Sequence, residues 1–228
     1  MSATSRAGSP DRRRRQLFEG PRADDPRVLR TRAAVVDAAR TLFLQKGYAG
    51  TTIEEIAALA GLAKRTVHNN YADKDALFTE IVADVIAYAE EFAGALRQES
   101  MAGITAANLR PTLLDLGRRL ALGIVRLEVV ALRRLLIGEA RAFPSLAREY
   151  FDRAPGQVID ALASHFERLA QRRLLKLTDA HRAAAQFAYL VAGEPLDRAM
   201  LVGTTPPKGQ VIACASDGVE TFLARYGR

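Results

Sequence analysis

One short stretch of this chain brings together side chains that can read base pairs. Lys64, Arg65 and Thr66 stand together, and His68 and Asn69 follow closely. Arginine can donate two hydrogen bonds to guanine, asparagine pairs in the same way with adenine, and threonine contacts a phosphate or a thymine methyl group. These residue types therefore predict contact with DNA, if one exposed helix face presents them.

The spacing of the apolar residues around this cluster predicts such a helix. Each residue advances by about 100° around an α-helix, so Val67 and Tyr71 face a core together. Arg65, Thr66 and Asn69 then point most nearly away from that core. An isolated Lys-Arg-Thr cluster would be interpreted more simply as a solvated helix face. The elements before it decide between the two interpretations.

The residues before the cluster predict two further helices and a tight turn. The Asp25-Pro26 start and the recurring apolar residues after it indicate a helix to Lys46. Thr51 and Thr52 are each followed three residues later by a glutamate, so either can begin a capping box for a short second helix. Gly61 then permits the turn into the polar cluster. Cap, turn and core pattern coincide, which favours a DNA-reading helix over a solvated face.

From about Arg32 to Leu77 the sequence resembles the TetR family of bacterial transcriptional regulators. The residues at the family's spacings are Ala38-Ala39, Leu42-Phe43, Gly47-Tyr48, Thr51-Thr52-Ile53, Ile56-Ala57, Ala60-Gly61, Thr66-Val67, Tyr71, Lys74 and Ala76-Leu77. The resemblance implies a set of residues that approach phosphates, namely Thr52, Thr66 and Lys74. It also implies a set in or beside the major groove, namely Lys64, Arg65, His68 and Asn69.

Two positions depart from the family pattern. His68 stands where many members have a phosphate-binding tyrosine, and Ala63 stands where many have a serine that caps the recognition helix. Because imidazole titrates near physiological pH, the first departure would make the contact weaker or mildly pH-dependent. The second departure removes a capping hydroxyl.

Beyond residue 73 the sequence predicts a larger helical bundle. Asp73 caps a long amphipathic helix that extends to about Glu99, and later helices are punctuated by Pro144 and by Pro155-Gly156. Pro195 is expected to kink or locally break its helix. The expected fold class is all-α and TetR-like, with an N-terminal three-helix helix-turn-helix domain, a C-terminal helical bundle and about nine to ten helices in total.

The family resemblance implies a DNA-binding regulator, most often a repressor, that a small apolar or amphipathic ligand releases from a palindromic operator. The segment 138–144 also looks like the C-terminal regions of AefR-like TetR proteins. Members form homodimers, which here would use the helices spanning about 157–173 and 179–202. Candidate ligand-binding residues are Phe92, Ile124, Phe143, Tyr150 and Phe166. A plain core is the simpler interpretation of these side chains, because helical spacing produces core and pocket patterns alike.

We expect the chain to divide into three parts: a disordered basic tail over 1–25, a DNA-binding domain over 26–73, and a ligand-binding and dimerisation domain over 74–228. Most of the formal net charge of +7 lies at the start, because the first 75 residues hold 14 basic and 9 acidic residues. Within the tail, Arg12 to Arg15 form an uninterrupted run. This run is interpreted as a solvated arm or as a phosphate or minor-groove contact.

Composition and motifs disfavour several other functions. The lone cysteine, Cys214, excludes a disulfide-stapled scaffold and favours a reducing compartment. No apolar run approaches the ~18 residues that span a bilayer, so we expect a cytoplasmic protein without a membrane partner. The histidines His68, His165 and His181 form no metal-ligand pattern, and the last two are expected to be solvated. Since the sequence also lacks a phosphate loop and a nucleophile elbow, no metal, cofactor or catalytic residue is expected, and the protein is predicted not to be an enzyme.

Two alternatives remain open from sequence. One is a helical enzyme or non-DNA interaction module that carries a helix-turn-helix. The other is a basic protein that binds a membrane surface through its arginine-rich tail, because charge alone does not distinguish DNA from an anionic lipid face.

Overall fold

The computed structural model describes residues 25–228. The predicted basic tail and its arginine run lie outside the described residues, apart from Asp25. Over the described range the chain forms ten α-helices and one π-helical turn, with no β-strand. In chain order the elements are α1 (Pro26–Lys46), α2 (Ile53–Leu59), α3 (Lys64–Asn70), α4 (Lys74–Gln98), α5 (Leu109–Ile124), α6 (Leu127–Glu139), α7 (Pro144–Phe151), the π-helical turn (Asp152–Gly156), α8 (Gln157–Gln171), α9 (Ala180–Val202) and α10 (Lys208–Tyr226). The predicted all-α fold class is confirmed.

Short acidic side chains set where three of the longer helices begin. Asp25 accepts a hydrogen bond from the backbone N–H of Arg27 at 2.8 Å, and Asp73 accepts one from Ala76 at 2.8 Å. Asp179 caps α9 in the same way. Each cap satisfies an N–H group that has no partner within its helix. The cap on α4 matters most for the site, because it fixes where that helix starts.

Two clusters of buried apolar side chains hold the helices together, and α4 contributes to both. The first cluster joins the inner faces of α1, α2 and α3 to residues 77–86 of α4, and it continues into α6 and α7 through Leu136 and Leu146. The second cluster joins Ala93, near the other end of α4, to α5, α8, α9 and α10. The domain boundary after residue 73 stays a prediction, and the first cluster extends across it.

Two prolines lie inside helical structure, at places where the sequence predicts interruptions. Pro155 belongs to the π-helical turn, and the flanking backbone keeps right-handed helical angles, with φ −60° and ψ −48° at Phe151 and φ −60° and ψ −34° at Gln157. Proline lacks the N–H that an α-helix needs, and the wider turn accommodates this. α9 does not end at Pro195 but runs through it. The chain therefore changes helix width at Pro155. Of the kink or local break predicted at Pro195, the break is absent and the kink stays a prediction.

His165 is buried, so the prediction of a solvated histidine is wrong. Its side chain is 0% exposed, and neither ring nitrogen has a hydrogen-bond partner in the described part of the chain. The reason is that α8 packs between α4 and α9, which covers a wider arc of the helix than its apolar stripe indicates. Burial lowers the pKa of His165, and the charges of Arg168 and Arg119 act in the same direction, whereas Glu99 and the nearby Leu96 carbonyl, which lies outside good hydrogen-bond geometry, oppose the change.

Replacing His165 by leucine should raise the free energy of unfolding and weaken its dependence on pH. An unpaired polar group in the core destabilises the folded protein by about 1–3 kcal/mol, and the substitution removes that group. The unfolded chain takes up a proton near pH 6.5, whereas the native imidazole resists protonation, so the wild type loses stability as the pH falls below about 6.5. Urea unfolding at pH 7.5 and pH 5.5 measures both effects.

The matched control is His181→Leu, which changes an exposed histidine near the start of α9. This control leaves His165 in place, so the loss of stability at pH 5.5 that His165 causes should persist. An equal loss of stability at pH 5.5 in wild type and His165→Leu would contradict the assignment of that loss to His165.

Candidate functional site

The loop and cap before α2 fix the first part of the polar surface. Thr52 accepts a hydrogen bond from the backbone N–H of Glu55 at 3.2 Å, and the Glu55 carboxylate accepts one from the Thr52 N–H at 3.0 Å. This reciprocal pair is the predicted capping box. Thr51 is instead buried, and its hydroxyl donates to the carbonyl of Gly47 at 2.9 Å. Of the two threonines that the sequence leaves open, Thr52 is therefore the cap.

A tight turn then orients α3 against α2. Gly61 has φ +68°, in the left-handed region that favours glycine, and the Leu62 N–H donates to the carbonyl of Ala57 at 2.9 Å. On α3, Val67 is fully buried, and Tyr71 directly after the helix is nearly so. The inner face of α3 is thus held rigidly, and its opposite face is turned to solvent.

The solvent-facing side of α3 carries the predicted base-reading residues. Lys64, Arg65, His68 and Asn69 are exposed, and Thr66 is half-buried. Among the residues that the structure describes, Arg65, His68 and Asn69 have no ion-pair or side-chain hydrogen-bond partner. Five of the seven predicted site residues are therefore brought together on one short helix.

Lys64 differs from its neighbours because it already has a partner. Its ammonium group pairs with the carboxylate of Glu54 on α2. This hydrogen bond lowers the pKa of Glu54, so the carboxylate stays charged beside the lysine. The pair links the starts of α2 and α3 across the turn.

Lys74, at the start of α4, braces the loop that precedes α2. Its Nζ donates to the carbonyl oxygens of Tyr48 and Thr51, each at 2.9 Å, and lies 4.2 Å from the centre of the Tyr48 ring. An ammonium group has three donors, so one remains for another acceptor. Lys74 and Thr52 are consequently neighbours at one edge of the α3 surface.

Tyr48 is a structural residue of the site that sequence reasoning gave no role. Its ring lies 5.0–5.5 Å from those of Phe43, Phe78 and Phe143, and its hydroxyl bonds to Asp75. Burial and the Asp75 carboxylate raise the pKa of Tyr48 above its ordinary value. The sequence singled out Tyr48 only as part of the Gly47-Tyr48 pair, which matches the spacing of the family but does not indicate which residues Tyr48 contacts.

Two of the predicted ligand-binding residues pack in the cores and do not line the cavity beside α4. Phe143 belongs to the aromatic cluster around Tyr48, 5.1 Å from Phe78 between ring centres. Phe166 packs against Phe187 and Phe222 in the second core, with ring centres 5.2 Å and 4.9 Å away. Both are core side chains, which corrects their placement, because a helical repeat does not distinguish a filled core from a pocket wall.

The other three predicted ligand residues, Phe92, Ile124 and Tyr150, line one cavity of about 110 Å³. It lies between α4, α5, α6, α7, the π-helical turn, α8 and α9, at the level where α4 passes from the first core to the second. The walls are almost entirely apolar. Sequence reasoning missed Arg133 of α6, which lines the cavity as well, since the adjacent pair Arg133-Arg134 does not indicate which of the two side chains faces a cavity.

The two helices predicted to form a dimer interface differ in their exposed faces. On α8 the exposed positions are polar, namely Asp160, Ser164, Glu167 and Gln171. On α9 the exposed positions include Tyr189, Leu201 and Val202, of which Leu201 is 76% exposed. The apolar surface available to a partner is therefore on α9.

Residues 25–228 contain neither a metal-binding cluster nor a membrane-spanning helix. Within that range no group of three or more His, Cys, Asp or Glu side chains is arranged to hold a metal ion. No helix in the range is long and apolar enough to cross a membrane.

Comparison with known families gives two matches that together cover most of the chain. Residues 35–81 match the model described as "Bacterial regulatory proteins, tetR family". Residues 111–228 match the model described as "AefR-like transcriptional repressor, C-terminal domain". A search of curated proteins found no match.

Solved structures with the same fold are also similar in sequence. A TetR-family transcriptional regulator from Mesorhizobium loti MAFF303099 is 31% identical with a TM-score of 0.75, and the match covers 90% of this chain and all of that one. The Flavonoid-responsive Regulator FrrA is 28% identical with a TM-score of 0.64, covering 87% of this chain and 97% of that one. A TetR transcriptional regulator from Agrobacterium tumefaciens is 26% identical with a TM-score of 0.66, covering 87% and 94%.

Replacing Lys74 by methionine should lower stability by about 1–3 kcal/mol, because two loop carbonyls lose their donor. Urea unfolding measures the loss. Lys208→Met, which changes an exposed lysine at the start of α10, is the control and should have little effect. Unchanged stability in Lys74→Met would mean that the ammonium does not hold the loop.

Replacing Ala63 by serine should stabilise the protein by about 0.5–1 kcal/mol, because a hydroxyl at this position can accept from the free N–H groups of the first turn of α3. Ala63 is exposed, has extended backbone angles and offers no side-chain cap. Thermal unfolding followed by circular dichroism measures the gain. The same substitution at the exposed Ala213, inside α10, should be neutral or slightly destabilising, and an equal effect at both positions would exclude capping as the cause.

Proposed function

The chain belongs to the TetR family and is a transcriptional regulator, and from that premise we propose that it represses transcription by binding a palindromic operator as a homodimer. The observation that carries the proposal is the exposed face of α3. There Arg65 and Asn69 have no partner within the described residues, whereas Val67 behind them is fully buried. Polar side chains can bond to base edges when the opposite face of their helix is buried in the core and they have no partner within the protein.

In the proposed complex α3 enters the major groove. Arg65 and Asn69 bond to bases, and Lys64 and His68 lie beside them. Thr52, Thr66 and Lys74 contact the phosphate backbone. The proximity of Thr52 and Lys74 supports this assignment, since Lys74 bonds to the carbonyl of the residue before Thr52 and keeps one donor.

The dimer places two copies of α3 in successive major grooves. The two half-sites of the operator are then related by the two-fold axis of the protein and lie about one helical turn, ~34 Å, or somewhat more apart. We propose that α8 and α9 form the dimer interface, with the apolar contacts made by α9. The exposed Tyr189, Leu201 and Val202 support this choice.

The cavity beside α4 is proposed to bind a small apolar or amphipathic ligand that releases the operator. Phe92, Ile124 and Tyr150 remain proposed contacts, whereas Phe143 and Phe166 do not. α4 begins at Lys74, shortly after α3 ends, so a movement of α4 also moves α3. A ligand that binds better to one position of α4 therefore changes the spacing of the two recognition helices in the dimer. The relative described as flavonoid-responsive, at 28% identity, supports a response to a small molecule.

We propose a regulatory and not a catalytic role, exerted in the cytoplasm, where bacterial DNA is found. The alternative is an enzyme or non-DNA interaction module that carries a helix-turn-helix. This alternative predicts that substitutions on the exposed face of α3 leave the function of the protein intact, whereas the regulatory role predicts that they impair it.

The test of DNA reading is binding to the DNA immediately upstream of the protein's own gene, compared with unrelated DNA over a series of salt concentrations. Arg65→Ala should weaken specific binding by about 1–3 kcal/mol, with little change for unrelated DNA. The control is Arg225→Ala, which removes the same charge from an exposed position at the end of α10.

Two outcomes would contradict the proposal. Equal losses in Arg65→Ala and Arg225→Ala would mean that only charge, and not the α3 face, matters. If a folded dimer bound neither DNA, and also did not bind the genomic regions around its gene, the result would favour the enzyme or interaction module.

A further inference from the structure

The cavity beside α4 contains one charged side chain, Arg133. Every other lining residue is apolar or a tyrosine, and no acidic side chain reaches the cavity within the part of the chain that the structure describes. The body of the cavity is formed by groups such as Phe92, Ile124 and Val158. An arginine in such a wall is unusual, because a charge loses hydration when apolar groups surround it.

Among the described residues Arg133 has no partner, whereas Arg153 and Arg126 do. Arg153 pairs with Glu90 at 2.9 Å and with Glu149 at 2.7 Å. Arg126 stacks on the Tyr88 ring, 4.7 Å from its centre. Arg133 is half-buried, and within residues 25–228 it makes neither an ion pair nor a side-chain hydrogen bond. Its guanidinium therefore has donors available beside the cavity.

A second polar group of the same cavity is the hydroxyl of Tyr150. Tyr150 lines the cavity together with Arg133 and is 7% exposed. Burial raises the pKa of its hydroxyl, and the positive charge of Arg133 acts in the opposite direction. The hydroxyl consequently stays protonated at neutral pH and can donate a hydrogen bond.

We propose that the effector is an amphipathic anion whose single acidic group, such as a carboxylate, pairs with Arg133 and accepts a hydrogen bond from Tyr150. Its apolar body lies between Phe92 and Ile124. This inference rests on the proposed function, since it specifies the ligand of the cavity assigned there. It selects one chemical class, because a guanidinium bonds to an anion in a charge-assisted way and offers nothing comparable to an alcohol or an amine.

Such a ligand connects two helices that otherwise meet the cavity from different sides. Arg133 belongs to α6, whereas Phe92 belongs to α4. A ligand that pairs with the first and packs on the second fixes the distance between them. The acidic group thus determines both the affinity of the ligand and how firmly the ligand holds α4 at one distance from α6.

The experiment uses three probes with the same eight-carbon chain: octanoate, octan-1-ol and octylammonium. Binding of each to the full-length protein is measured by isothermal titration calorimetry at pH 7.5. Octanoate should bind at least about tenfold more tightly than octan-1-ol, and octylammonium most weakly because its charge repels Arg133. In Arg133→Gln octanoate should fall to the affinity of octan-1-ol, which itself should change by less than about twofold.

Two further variants keep the result interpretable. Arg134→Gln removes the neighbouring charge on α6, and that arginine is exposed and lines no part of the cavity, so the preference for octanoate should persist. Gly193→Leu fills part of the cavity from α9, where an added Cβ has only an ordinary contact with Tyr189 at 4.0 Å. It should weaken all probes that bind there. Circular dichroism confirms that each variant is folded.

The outcomes separate this inference from the proposed function. Equal binding of octanoate and octan-1-ol, both weakened by Gly193→Leu, would overturn the anion preference and leave the cavity as a ligand site. Binding that Gly193→Leu does not affect, or no binding by any probe, would overturn the anion inference together with the ligand part of the proposed function. A preference for octanoate that is lost in Arg133→Gln but kept in Arg134→Gln supports the inference.

Discussion

The burial of α4 in two separate cores is the constraint on which the rest of the structure depends. Its first half packs against the helix-turn-helix unit, and its far end packs against the C-terminal helices. The α4 residues that line the cavity run from Val85 to Phe92, where the helix passes from the first region to the second. The proposed ligand would therefore contact α4 at the stretch that joins the two cores.

The aromatic cluster around Tyr48 explains how the DNA-facing unit is kept in register with the bundle. Phe143, from the turn after α6, reaches across to Tyr48 and Phe78 with ring centres 5.0 Å and 5.1 Å away. Tyr48 in turn supports Lys74, which holds the loop before α2. The recognition surface is thus supported by contacts that run continuously from α6 to the cap of α2.

Local signals in the sequence were sufficient for the helices and for the polar face of α3, because caps, a left-handed glycine and apolar periodicity all act within a few residues. They were insufficient wherever a third helix decides the environment. His165 lies off the apolar stripe of α8 and is still buried, because α4 and α9 cover both of its sides. In the same way Phe143 and Phe166 have the spacing of pocket residues but fill cores, and Arg133 gave no signal, since its surroundings come from distant parts of the chain.

The ion pair between Lys64 and Glu54 bears on how strongly the binding of DNA depends on salt concentration. A lysine that neutralises a phosphate displaces condensed cations from DNA, and each displaced cation adds to the salt dependence of binding. Lys64 already pairs with a carboxylate of its own chain, so in the proposed complex its contact with DNA would exchange one anion for another. A count of the basic residues of α3 would therefore overestimate counterion release in that complex.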